Sequence, residues 1–152
     1  MTTENTTENT ATAAPVAINL TKKVAAGQKI SLTKENPGLS KIVIGMGWNP
    51  RRTDGKAFDL DAAAFLVTAD GKIRTANDMV SYVEGFETHA SGAVIYGGDN
   101  KDGQGDGDDE TLTVDLSKVP EDISKIVFTA SIYAGRSRGQ NFGMVDGAYA
   151  RL

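Results

Sequence analysis

The sequence predicts an all-β protein, an antiparallel β-sandwich with short helical turns and an acidic metal-binding loop. Three observations predict it. Apolar residues come in short runs bounded by turn residues, seventeen glycines stand against four prolines, and no segment keeps helical periodicity for three turns. At 152 residues with 39% hydrophobic content, the chain suits one domain with a sizeable core.

The elements follow in order. Residues 1–17 are mostly Thr, Glu, Asn and Ala, with neither a basic start nor an apolar h-region, so they predict a disordered tail and no secretory signal. The sandwich is expected over residues 18–152. Its predicted strands are Ile18–Val24, Gln28–Leu32, Lys41–Gly47, Leu60–Val67, Met79–Val83, Ala93–Tyr96, Thr111–Leu116, Lys125–Tyr133 and Val145–Arg151. Ala69-Asp70-Gly71-Lys72 reads as a hairpin turn, with Gly71 supplying a positive φ.

An internal match supports this reading. Residues 30–44 align without gaps on residues 114–128, and Leu32, Lys34, Ser40, Lys41, Ile42 and Val43 recur identically. Each copy reads as a strand end, a Pro-bearing helical turn and a buried strand. Either the fold carries two-fold pseudo-symmetry or one turn solution is used twice. Both readings put Ile42, Val43, Ile44, Ile126, Val127 and Phe128 in the core.

Composition excludes several function classes. Without cysteine there can be no disulfide, iron–sulfur cluster, thiolate–zinc site or cysteine nucleophile. His89 is the single histidine, so histidine-based zinc sites and Ser-His-Asp triads have little to draw on, and it reads as a surface or packing residue. No apolar run is long enough to span a membrane, which predicts no stable membrane insertion and a cytoplasmic location. A net charge of −4 points to no nucleic-acid partner.

That charge is concentrated. Between Asp99 and Glu110 stand Asp99, Asp102, Asp106, Asp108, Asp109 and Glu110 against Lys101, so one loop carries −5 and the rest of the chain +1. Alternating Gly and Asp suits a hard, oxygen-loving cation, because carboxylates supply charge and glycines let carbonyls turn inward. Upstream, Asp59 and Asp61 lie two apart at the start of an otherwise apolar strand and so share a face. Eight carboxylates exceed what one calcium takes and suit two ions sharing ligands; magnesium fits so dense an anionic loop less well. The loop is no EF-hand, since Lys101 and Gly103 occupy ligand positions. Arg51, Arg52, Arg136 and Arg138, in two further Gly-bounded loops, either bind an anion or brace those loops. Trp48 reads as a partly buried anchor.

The motifs Gly45-Met-Gly-Trp-Asn-Pro-Arg51, Phe58-Asp-Leu-Asp-Ala62, Gly98-Asp-Asn100 with Gly105-Asp-Gly-Asp-Asp-Glu110, Val114-Asp-Leu-Ser-Lys-Val-Pro120, Lys125-Ile-Val-Phe128 and Arg138-Gly-Gln-Asn-Phe-Gly143 together resemble the TerD family of tellurite-resistance and stress-response proteins. The resemblance implies a calcium-binding β-sandwich with two nearby ions. It implies Asp59, Asp61, Asp99, Asn100, Asp106, Asp108, Asp109 and Glu110 as metal-site residues, with Asp102 as a further candidate standing where the family commonly has a small or hydroxyl residue. Asn49 replaces a common Asp and is not counted. The resemblance also implies a domain that continues past Leu152. The expected function is a non-enzymatic Ca2+ module acting in tellurite or stress responses through protein partners. The rivals are a calcium-dependent lipid- or carbohydrate-recognition sandwich and a metal-dependent hydrolase, the last lacking a general base or cationic clamp.

Overall fold

The computed structural model describes residues 27–152. Among these residues, seven strands form two antiparallel sheets: β1 (Lys41–Gly47), β2 (Leu60–Val67), β3 (Met79–Val80), β4 (Val94–Tyr96), β5 (Glu110–Asp115), β6 (Lys125–Ile132) and β7 (Tyr149–Arg151). One sheet runs β4-β5-β1-β7 and the other β3-β2-β6. Two single-turn helices, α1 (Leu32–Glu35) and α2 (Gly135–Arg138), join 3₁₀ turns at Ala76–Asp78, Leu116–Lys118 and Phe142–Met144.

Strand alternation builds the core. In β2, Leu60, Ala62, Ala64 and Leu66 point inward, and three of those four have minimal exposure because they meet Leu112 and Val114 of β5, with Val80, Val94 and Met46 around them. Alternate positions of β5 are buried from its first residue, which places Glu110 in the inward register ahead of Leu112 and Val114. Trp48 closes one end, 3% exposed, and its indole N–H donates to the Phe58 carbonyl at 3.0 Å.

Several expectations are refined. The predicted strand Ile18–Val24 and the tail at residues 1–17 lie outside the described residues. Gln28–Leu32 forms no strand; a one-turn helix begins at Leu32, closed by the Asn36 N–H on the Leu32 carbonyl, before Pro37. Met79–Val83 shortens to Met79–Val80 because the chain turns back from Ser81 to Phe86, whose carbonyl accepts the Ser81 N–H. Val145–Arg151 shortens to β7, the residues before it being committed to a turn with Gly147 at φ 62°. The hairpin turn after β2 forms as expected, with Gly71 at φ 79°.

The two copies of the internal match end in different sheets, one delivering β1 and the other β6. Their apolar triplets are not wholly core. Ile42, Ile44, Ile126 and Phe128 pack half-buried against the core, while Val43 and Val127 are 48% and 38% exposed. The middle residue of a strand triplet necessarily faces the other way.

Candidate metal centre

β2 delivers two carboxylates to one place. Asp59 and Asp61 occupy alternate positions at its N-terminal end and are both buried, 9% and 6% exposed. The β4–β5 loop brings Asp99 to them, so that one carboxylate oxygen of each of the three residues lies within 4.8 Å of the others. Such a cluster could hold a metal ion, and its donors are all hard oxygens.

Glu110 is a neighbour at the head of β5. Its Oε2 accepts the Ala62 N–H at 2.6 Å. β3 is short and pairs only with Ala64 and Phe65, so the amide of Ala62 on that side of β2 is available to the carboxylate. Oε1 and the buried phenol oxygen of Tyr96 lie close together, and neither makes a well-aligned hydrogen bond among the described residues. An unsatisfied buried carboxylate oxygen costs of order 1–3 kcal/mol, more when ionised, so this oxygen is chemically available to a cation.

The electrostatics show the crowding. Burial, and then the charges of Asp59 and Asp99, push Asp61 up to about 6. Burial pushes Glu110 up to about 7, against the opposing hydrogen bond from Ala62. Asp59 is also raised, chiefly by burial, although Arg138 opposes the rise with its guanidinium 3.7 Å away. Burial raises the Tyr96 phenol further, followed by its interaction with Glu110.

The other acidic-loop residues stand elsewhere. Asp109 accepts the Trp48 backbone N–H at 2.7 Å and the Asn100 amide at 2.8 Å. Asn100 Oδ1 in turn accepts the N–H groups of Asp102 and Gly103. Asp102 folds onto Gln104 through the backbone N–H and the side-chain amide. Asp108 is clamped by Arg151 through two bonds of 2.6 Å and also accepts from Tyr149. Asp106 is exposed. In this arrangement Asn100, Asp102, Asp108 and Asp109 shape and anchor the loop. Gly103 permits it: its φ is +73°, and a Cβ there would lie 2.6 Å from the Trp48 indole.

Tyr96 escaped sequence reasoning, although the alternation Val94-Ile95-Tyr96 already assigned it the inward face. His89 is buried, 5% exposed, between Ser91 at 2.8 Å and Asp78 at 3.2 Å; Arg74 holds Asp78 from the other side and drives its carboxyl far below the usual range. Of the four loop arginines, Arg51 braces its own loop through Thr53 and the Lys56 carbonyl, and Arg138 pairs with Asp59.

Residues 17–152 match the sequence model of the TerD domain. The chain belongs to the TerD domain family. It is 46% identical over 136 residues to general stress protein 16U of Bacillus subtilis (strain 168), covering 88% of this chain and 68% of that protein. It is 43% identical over 129 residues to the tellurium resistance protein TerD of Serratia marcescens, covering 85% and 66% respectively. The chain thus spans about two thirds of the length of these TerD relatives. The fold matches a solved TerD homologue from Streptomyces coelicolor A3(2) with a TM-score of 0.62 at 21% identity, covering 74% of this chain and 64% of that one. Among the described residues no helix is long and apolar enough to cross a membrane.

Proposed function

We propose that this TerD domain is a calcium-binding module, and that it serves tellurium resistance or the stress response in the cytoplasm through protein partners rather than by catalysis. One observation carries the reading: three carboxylates from β2 and the β4–β5 loop converge, one oxygen of each within 4.8 Å of the others, with the buried Glu110 carboxylate in their electrostatic neighbourhood. Such a site favours a divalent ion, because at neutral pH each added negative charge raises its neighbours' pKa values unless a cation sits among them.

Calcium suits the donor set better than magnesium, since it accepts six to eight oxygens in flexible geometry while magnesium demands strict octahedral order. Asp59, Asp61 and Asp99 would hold the first ion, with Glu110 adjoining. A second, adjacent ion would draw on Asp106 and would have to displace present hydrogen bonds to recruit Asp102, Asp108 or Asp109. Such ions would supply charge neutralisation and tie the loop to β2. The roles of the relatives support the biological setting, since proteins of the same family are named for tellurium resistance and general stress.

Calorimetric titration of the chelator-treated protein with calcium, with magnesium as competitor, tests this. Saturable calcium binding that magnesium displaces poorly is expected, with the stoichiometry deciding between one ion and two. Asp61→Asn should abolish the tight phase. Absence of calcium uptake, with no change in melting temperature, would refute the proposal.

A further inference from the structure

We propose that the cleft between the β1–β2 loop and the turn after β6 is a binding site for a phosphate-sized oxyanion. The cleft measures about 480 Å³ and is lined by Arg51, Gly55, Lys56, Tyr133, Ser137 and Arg138 among others. Three of these residues are cationic and none of the lining residues is acidic, in a chain whose net charge is −4.

Two of the cations are already oriented. The Arg51 guanidinium stacks 4.9 Å from the Phe58 ring, and that of Arg138 stacks 4.9 Å from Tyr133. Arg51 spends its Nε on Thr53 and its Nη1 on the Lys56 carbonyl, which leaves Nη2 without a partner among the described residues. The Lys56 ammonium likewise meets no carboxylate among the described residues. Loop bracing therefore accounts for half of Arg51 and for none of Lys56. A guanidinium fixed by stacking presents its remaining N–H groups with little further entropy loss, which suits an anion bearing several oxygens. The cleft wall also contains Ala134, a non-glycine residue in the left-handed region (φ 50°, ψ 26°). Strain of this kind persists where surrounding structure enforces it, and it concentrates at ligand sites.

Arg138 of the cleft also pairs with Asp59, so the test is run on both calcium-loaded and chelator-treated protein at low ionic strength. Inorganic phosphate, glycerol phosphate and tellurite are titrated separately by calorimetry, and the tightest binder identifies the source of the oxyanion. Saturable binding at one site is expected, weakened roughly tenfold by Lys56→Gln and by Arg51→Gln. Arg52→Gln, at an exposed position outside the cleft lining, should leave it unchanged. Lys56 is exposed, so its variant keeps the test valid even where Arg51→Gln disturbs the loop. No saturable binding of any of the three anions overturns the proposal. So does an equal loss in Arg52→Gln, which would mean diffuse charge attraction.

Discussion

Stripped of metal, the protein should lose stability as pH rises through neutrality, the reverse of ordinary acid denaturation. Asp61 rises from 3.8 to about 6 and Glu110 from 4.5 to about 7, both chiefly by burial. A carboxyl raised in the folded state contributes stability that is complete below its unfolded value. That stability is lost as pH climbs through the folded value. The loss therefore runs from about pH 4 to pH 7, between the unfolded and folded values of the two groups, and is nearly complete by pH 8. A tenfold change in a proton's affinity is worth about 1.4 kcal/mol, so ionisation costs roughly 3 kcal/mol at each site. The two carboxylates repel each other, so the figures overlap, and solvent screens part of each. The expected loss from pH 5 to pH 8 is thus about 3 kcal/mol in all. For a domain of this size that corresponds to a fall in Tm of about 10 °C. Asp78, lowered by Arg74, loses its contribution only at acid pH, below this window. Urea unfolding of the chelator-treated protein, followed by Trp48 fluorescence at several pH values, measures the slope. Glu110→Gln should remove the larger share of it, and saturating calcium should flatten it. Metal-free stability that stayed level or rose from pH 5 to pH 8 would refute the electrostatic reasoning.

Gly103→Ala should destabilise the protein by about 2 kcal/mol or more, since it adds a left-handed alanine and a collision with Trp48; chemical denaturation and a shifted Trp48 emission would report it. Leu112→Ala, at a position 1% exposed between the sheets, should cost about 2–5 kcal/mol in urea unfolding. Asp78→Asn should destabilise the protein at pH 7 by weakening the bonds that join Arg74 and His89 to this position, while Arg74 keeps Asp122. Thermal melts of the variant should show a weaker dependence on acid pH than wild type.

Much of the sandwich was legible because strand alternation is a local signal. The bounds of β1 and β2 match the apolar runs, β5 is shifted by one residue at each end, and β6 ends one residue early. The pairing of Asp59 with Asp61 on one face was readable for the same reason. The division of labour in the acidic loop was not, because it depends on distant partners. Asp108 meets Arg151 43 residues away, and Asp109 meets the Trp48 amide 61 residues away. No local pattern distinguishes these two aspartates from Asp99, which the fold carries to β2. The burial of Glu110 shows how narrow the margin is: one step along β5 would have turned it outward with Thr111 and Thr113.

The geometry joins metal binding to loop order under the proposed function. Asp59 and Asp61 sit on a strand fixed by hydrogen bonds to β6, whereas Asp99 sits on a loop held by turn contacts. An ion among them attaches the loop to the sheet, and its removal restores repulsion and desolvation together worth about 3 kcal/mol. Free calcium at a hundredfold excess over Kd supplies about 2.7 kcal/mol of linkage stabilisation. The two magnitudes match, so calcium near that level would offset the cost of gathering the carboxylates, and depletion would fall first on the β4–β5 loop.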